Sequence, residues 1–181
     1  MNFQKNLRNI TLFLLISIMG LWSCQNKRST DPKVLIFSKT AGYHHESIPA
    51  GIVAIQKLGA ENGFAVDTTT NAELFTEENL TQYSAVIFLS TTSDVLNHYQ
   101  EAEFERYIQA GGGFVGIHAA ADTEYEWGWY NRLVGGYFAD HPGINDPNPN
   151  VQPGQVMVVD ASNASTSFLP NPWERTDEWY S

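Results

Sequence analysis

Three short apolar runs constrain the fold of this chain more than any other feature. They are KVLIFS at Lys33–Ser38, AVIFLST at Ala85–Thr91 and GFVGI at Gly113–Ile117. None of them alternates between apolar and polar residues. A strand takes this form when both faces of its sheet are covered, which is typical of parallel sheets packed between helices. The runs therefore predict such a sheet.

Helical patterns fill the intervals between the strands. Apolar residues recur at helical spacing in one interval, at Ile48, Ile52, Ile55 and Leu58. Ser47 is the predicted N-cap of this helix, and Gly63 ends it. A short helical turn capped by Thr76 and a helix over His98–Ala110 follow, and FAVDTTT at Phe64–Thr70 supplies one more strand. The alternating order predicts an α/β fold with a doubly wound, mostly parallel sheet.

The pattern weakens beyond Asp122. The sequence EWGWYNRLVGGYF predicts a short aromatic helix, and a loop rich in proline and asparagine follows it. QVMVVD at Gln155–Asp160 predicts a strand at a sheet edge. The chain stops at WERTDEWYS. Because this aromatic stretch has no closing element, we expect the domain to be C-terminally truncated.

The N-terminus has the pattern of an export signal. Lys5 and Arg8 precede the apolar run ITLFLLISIMGLW, which is too short to cross a bilayer core of about 30 Å. The stretch LWSC, ending at Cys24, resembles a bacterial lipoprotein signal box. We therefore predict a signal peptide over residues 1–23, lipidation of Cys24 and a tether over residues 24–32. A free cysteine in an ordinary secretory signal is the alternative.

Cysteine content and charge exclude several kinds of chemistry. Cys24 is the only cysteine, so the domain after the signal cannot form an internal disulfide or use a thiolate nucleophile. The formal net charge of −10 disfavours binding to nucleic acid or to anionic lipid headgroups. The tether lacks an acidic run that resembles a surface-export signal, which favours a lipid anchor facing the periplasm. A lipid anchor is then the only predicted membrane contact.

Candidate site residues lie where the predicted strands end. In an open α/β sheet, binding sites form outside the carboxyl ends of parallel strands. The first loop carries Tyr43, His44 and His45, and the turn after the fourth strand carries His118 and Asp122. We predict His118 as a catalytic residue, with Asp122 as its orienting carboxylate and a site for a small molecule around them. A core histidine bonded to a backbone carbonyl is the alternative for His118.

The same side chains could also bind a divalent metal such as zinc. Imidazole and carboxylate groups are zinc ligands. His44 or His45 could supply such a set with His118, His141 and either Asp122 or Asp140. No HExxH spacing supports this set. The sequence therefore leaves two alternatives, a bound metal and a histidine base that acts without a cofactor.

Aromatic residues near these loops suggest a sugar substrate. Trp127 and Trp129 follow the His118 turn, and Tyr43 precedes His44. Exposed aromatic rings suit the C–H faces of a sugar, so these three are the predicted substrate-binding residues. The alternative is that most of the aromatic residues pack in the core.

Four blocks in order resemble the ThuA-like domain, a family of the class I glutamine amidotransferase-like superfamily. They are KVLIFSKTAGYHHESIPAG, GGGFVGIHAAADT, WYNRLVGGYFADHP and WERTDEWY, and the resemblance covers residues 33–181. It implies a flavodoxin-like sheet with a tight strand-to-helix turn. Amidotransferases present a cysteine within Gly-x-Cys-x-Gly at that turn, and His118 takes its place here. The resemblance thus implies no glutamine hydrolysis, and a link to the use of trehalose, other disaccharides or keto-sugars.

These observations leave three functions open. The first is an exported, lipid-anchored enzyme that processes a disaccharide or an oxidised sugar. The second is a non-catalytic carbohydrate-binding lipoprotein that serves a partner enzyme. The third is a structural metal protein.

Overall fold

A parallel four-stranded sheet forms the centre of the chain. The computed structural model describes residues 32–143 and 145–180. The strands are β1 (Lys33–Phe37), β2 (Ala65–Thr69), β3 (Ala85–Leu89) and β4 (Gly113–Ile117), in the order β2-β1-β3-β4 with every pairing parallel. The predicted α/β fold is confirmed. This strand order is that of flavodoxin-like sheets. In such sheets the direction in which the chain adds strands reverses between β1 and β3, and a site forms beyond the carboxyl ends of these two strands.

Four helices connect or follow these strands. They are α1 (Ile48–Asn62), α2 (Glu77–Leu80), α3 (His98–Gln109) and α4 (Gly128–Val134). Short 3-10 helices also form at Ala72–Leu74 and at His118–Asp122. The cap on α2 is as predicted, because the Thr76 side chain accepts a hydrogen bond from the Asn79 N–H.

The first helix differs from its prediction in two details. Ser47 makes no side-chain capping bond, because its own backbone is already helical. Leu58 is exposed, whereas Gly59 is buried against the turn into β2. A Cβ at Gly59 would lie only 2.6 Å from the Phe64 carbonyl oxygen. This close approach requires a glycine, and it determines which face of α1 packs against the sheet.

Apolar side chains cover both faces of the sheet. On one face, α1 contributes Ile48 and Ile55 to a cluster with strand residues such as Ile36 and Ile87. On the other face lies a larger, aromatic cluster, which includes Phe37, Phe75, Phe88, Phe104 and Tyr130. The β1 and β3 strands are therefore buried on both sides, as their unbroken apolar runs predict.

The C-terminal part forms a separate antiparallel hairpin. Its strands are β5 (Val151–Val156) and β6 (Trp173–Glu178), which pair with each other and not with the parallel sheet. The predicted edge strand at Gln155–Asp160 is therefore wrong in position and in pairing. Half-buried and exposed residues alternate along β5, so one face of the strand is more covered than the other.

Among the described residues, no helix is long and apolar enough to cross a membrane. The predicted signal peptide, Cys24 and all but the last residue of the tether lie outside the described residues.

Candidate functional site

His118 occupies a strained turn directly after β4. Its φ is +54°, in the left-handed region that residues with a Cβ rarely adopt. Backbone bonds from the neighbouring loop hold the turn, since Ser90 N–H donates to the Ile117 oxygen at 3.1 Å and Ser93 N–H to the Asp122 oxygen at 2.7 Å. Such strain persists only where the surrounding structure fixes it, and it often marks a functional site. The turn places the imidazole beyond the carboxyl end of β4.

The loop after β1 brings a second imidazole beside it. Thr92 fixes this loop, because its backbone oxygen accepts from Ala41 N–H and its hydroxyl donates to the Tyr43 oxygen at 2.9 Å. His45 then packs edge-on against His118, with ring centroids 4.5 Å apart. The side chain of His45 is the one that reaches the site.

His44, one of the two predicted metal ligands in this loop, points elsewhere. Its Nδ1 lies 3.2 Å from the Thr40 hydroxyl, and the residue does not line the cavity beside His118. Neighbouring residues in an extended loop point in different directions, and here His45 is the one that faces the cavity. His45 therefore replaces His44 in the candidate site.

The C-terminal hairpin adds two residues that the sequence patterns do not single out. The Tyr180 hydroxyl lies 3.2 Å from His118 Nδ1 and donates a hydrogen bond to Glu178. Glu178 Oε2 is 3.9 Å from His118 Nε2, and Asn150 Nδ2 donates to the other Glu178 oxygen. The only sequence signal for these residues is their place in the block WERTDEWY, because β6 is too polar to be recognised as a strand.

His141 enters the site from the loop after α4. Phe138 N–H donates to the Ala121 oxygen at 2.9 Å, which ties this loop to the His118 turn. His141 Nε2 then lies 3.9 Å from Glu178 Oε1. Its ring also packs beside Phe138 and Tyr180, at centroid distances of 5.5 and 5.7 Å.

These elements enclose one cavity of about 760 Å³. Its walls combine three imidazoles, two carboxylates and several aromatic rings, and no lysine or arginine lines it among the described residues. The lining residues with functional side chains are Tyr43, His45, His118, Asp122, Tyr137, Phe138, His141, Glu178 and Tyr180. A cavity of this size is in the range of small-molecule sites.

The comparisons with known proteins agree with this architecture. The family profile described as trehalose utilisation, ThuA, matches residues 33–181. The chain belongs to the ThuA family. A solved ThuA-like protein from Bacteroides uniformis is similar in structure, with a TM-score of 0.65 and 26% sequence identity. The similarity covers 88% of this chain and 64% of that protein, so the chain spans less than two thirds of its length. No curated protein matches the chain.

Asp122 lines the ThuA cavity but does not orient His118. Its Oδ1 accepts a hydrogen bond of 2.6 Å from the Tyr125 hydroxyl, and no described contact joins it to His118. The 3-10 helix turns the Asp122 side chain toward Tyr125 instead. Tyr180 and Glu178 hold the positions beside His118 that the sequence predicts for Asp122.

Trp127 and Trp129, the predicted sugar-stacking residues, lie outside the cavity. Their rings stack on each other at 5.0 Å, and both pack on the core residue Phe104. The first turns of α4 place them on the aromatic side of the sheet, away from the His118 turn. Tyr43 does line the cavity, as predicted, and Phe138 and Tyr180 supply the other aromatic walls.

Burial shifts several of the cavity groups away from the charged form, among them His45 and Tyr180. Burial, followed by the nearby His118, lowers the pKa of His45. Burial and the hydrogen bond to Glu178 raise the pKa of the Tyr180 hydroxyl. At neutral pH, His45 therefore favours the uncharged imidazole and Tyr180 keeps its proton. The site thus combines a neutral imidazole, a hydroxyl donor and carboxylate acceptors.

Proposed function

We propose that this ThuA-family protein processes a disaccharide or its keto derivative in the His118 cavity. The observation that carries the proposal is the convergence of His45, His118 and His141 on one cavity with aromatic walls. The family description, trehalose utilisation, favours a sugar as the ligand. The same cavity lacks any lysine or arginine side chain in its described lining, which suits an uncharged sugar.

His118 is the proposed acid/base residue. Imidazole is the side chain that exchanges protons most readily near neutral pH. The ring of His118 is partly exposed to the cavity, at 29% of its side-chain surface, so a substrate can reach it. The Tyr180 hydroxyl and the Glu178 carboxylate beside it can hold the ring and share its proton.

The sugar ring is proposed to lie against the aromatic walls. Tyr43, Phe138 and Tyr180 each present a ring to the cavity. Aromatic faces pack well against the C–H face of a sugar, while hydroxyl and carboxylate groups bind its polar edge. Asp122 supplies one such polar group.

The test is conversion of trehalose and of a 3-keto-disaccharide by the full chain, followed by NMR. We expect product signals with the unchanged protein and none with His118→Ala. His44→Ala is the matched control, because His44 lies one residue from His45 but outside the cavity. Equal conversion by the His118→Ala variant would exclude the proposed role. Shifted sugar signals without product would instead favour the carbohydrate-binding accessory protein.

We also propose that a lipid on Cys24 anchors the protein to the cell envelope, with the domain facing the periplasm. Support comes from the basic start, the apolar run and the stretch LWSC. Expressed in a bacterial host, the full chain should partition into the detergent phase of a Triton X-114 extract. Cys24→Ser should move it to the aqueous phase, and unchanged partitioning would exclude lipidation.

A further inference from the structure

We propose that His45 donates a hydrogen bond from Nε2 to the carbonyl oxygen of a keto-sugar, so that the cavity acts on the keto derivative and not on the parent disaccharide. This inference rests on the proposed function, because it takes the His118 cavity as a sugar site. His45 lines this cavity together with His118. Its ring packs edge-on between two others, with centroids 4.8 Å from Tyr43 and 4.5 Å from His118. These two contacts restrict the orientation of the His45 ring.

The buried ring nitrogen of His45 shows where the ring carries its proton. Nδ1 is buried and has no hydrogen-bond partner among the described residues. A buried N–H group without an acceptor is rarer in proteins than a buried acceptor with a free lone pair. The lone pair is therefore on Nδ1, and the neutral ring carries its proton on Nε2.

The same nitrogen keeps the ring uncharged. An imidazolium has an N–H group at both nitrogens, so charging His45 would bury an unpaired cationic N–H at Nδ1. In agreement with this geometry, burial and then the nearby His118 lower the pKa of His45, although Glu178 and Asp122 act in the opposite direction. A neutral imidazole can polarise a carbonyl group without giving up its proton.

Other hydrogen-bond donors in the cavity are already used. The Tyr180 hydroxyl donates to the Glu178 carboxylate, and the Tyr137 hydroxyl donates to backbone oxygens. His141 Nδ1 lies 3.0 Å from a carbonyl oxygen, which can only accept, so the neutral ring of His141 keeps its proton there. These three side chains therefore have no free proton for a ligand oxygen.

His45 is then the donor best placed for a carbonyl oxygen. No lysine or arginine lines the cavity among the described residues. Tyr43 is 70% exposed, so water competes for its hydroxyl. In His45, Nδ1 and not Nε2 is the ring nitrogen buried without a partner, which leaves Nε2 for the cavity.

The proposed step is removal of the proton from the carbon beside the ketone. His118 takes this proton, the C–H electron pair forms a C=C bond, and the π pair of the C=O bond moves onto oxygen. His45 donates to the resulting enolate oxygen and keeps its own proton. The two rings, 4.5 Å apart, reach neighbouring atoms of one sugar. Return of the proton from His118 restores the ketone, so the step needs no co-reactant.

The experiment follows a 3-keto-disaccharide with 13C at the keto carbon by NMR, with the full chain in D2O. We expect the protein to move the carbonyl signal downfield and to exchange the neighbouring C–H proton for deuterium. His45→Phe keeps a ring beside Tyr43 and His118 but has no N–H group. This variant should lose the downfield shift and exchange the proton about 100-fold more slowly. His44→Phe is the matched control and should behave like the unchanged protein, because His44 lies outside the cavity.

The outcomes separate this inference from the proposed function. A carbonyl signal that the protein does not move, or moves equally in His45→Phe, would overturn the role of His45. Conversion of trehalose, which has no ketone, as fast as the keto-sugar would also overturn it and would leave the proposed function intact. A carbonyl shift that depends on His45, without any product, would support the inference and overturn sugar processing.

Discussion

At the scale of single residues, the backbone of His118 is strained. For a residue with a Cβ, the backbone conformation at this position, with φ at +54°, costs about 1 to 2 kcal/mol. His118→Gly relieves this strain, whereas His118→Ala keeps it, and both variants lack the imidazole. We expect the glycine variant to be more stable than the alanine variant by about 1 kcal/mol. Urea unfolding measures the difference.

The comparison controls for lost side-chain contacts, because both variants lose the same ones. An alanine variant as stable as the glycine variant would mean that the turn after β4 relaxes in the absence of the ring. The positive φ at position 118 would then depend on the imidazole ring and not on the surrounding backbone.

Single residues also show what the sequence can and cannot predict about the site. The position of His118 follows from the glycine-rich strand that precedes it, since the end of such a strand is where sites form. The choice between His44 and His45 depends on the folded path of their loop, which contacts Thr92, a residue distant in sequence. Trp127 and Trp129 follow His118 closely in sequence, but helix α4 turns them toward the core. Proximity along the chain is therefore a poor guide to these side chains.

At the scale of elements, the C-terminal hairpin positions Glu178 and Tyr180. Trp179 lies between them and packs on Gly154 of the opposite strand, where a Cβ would be 2.5 Å from the indole ring. Its Nε1 also donates to the Gln152 oxygen at 2.8 Å. The position of both site residues therefore depends on this contact.

Gly154→Ala should loosen the hairpin without unfolding the parallel sheet. We expect hydrogen exchange about tenfold faster at the β5 and β6 amides, because the added methyl group displaces Trp179. Amides of β1 and β3 should keep their protection. Gly128→Ala is the control, since the nearest atom to its added methyl group is 3.9 Å away. Unchanged exchange in β5 and β6 would contradict the role given to Trp179.

The elements of the parallel sheet could be predicted and the hairpin could not, for a physical reason. The β1 and β3 strands are buried on both faces and carry continuous apolar runs that are visible in the sequence, and β4 carries such a run although its Val115 is exposed. The β6 strand, WERTDE, is mostly exposed and its pairing with β5 depends on residues far along the chain. As a result, the site residues in the turn after β4 could be predicted from the sequence, and those that the hairpin contributes could not.

At the scale of the whole molecule, Glu124 links the loops that carry the site. Its carboxylate accepts from Val95 N–H and Leu96 N–H at 2.9 and 2.8 Å, and its backbone N–H donates to the Ser93 oxygen. Burial, together with the neighbouring Asp94, raises the pKa of Glu124 from 4.5 to about 8. Between pH 4.5 and about 8, the Glu124 carboxyl therefore keeps its proton in the folded protein and loses it in the unfolded chain.

This difference makes stability depend on pH. Between pH 4.5 and about 8 the folded state binds more protons at Glu124 than the unfolded state, so the free energy of unfolding falls as pH rises. Glu124→Gln keeps a neutral acceptor and should lose this slope. Urea unfolding at several pH values measures it. The exposed Glu126→Gln is the control and should keep the slope; equal slopes in all three proteins would contradict the assignment.

The central claim is that imidazoles from three separate loops meet over the carboxyl edge of the sheet and bind a sugar there. The most direct test uses the 15N spectrum of the five histidine rings while a 3-keto-disaccharide is added to the full chain. The account predicts that the signals of His45, His118 and His141 shift together, while those of His44 and His98 stay in place. Sugar binding that shifts His44 or His98 and leaves the other three unchanged would contradict it.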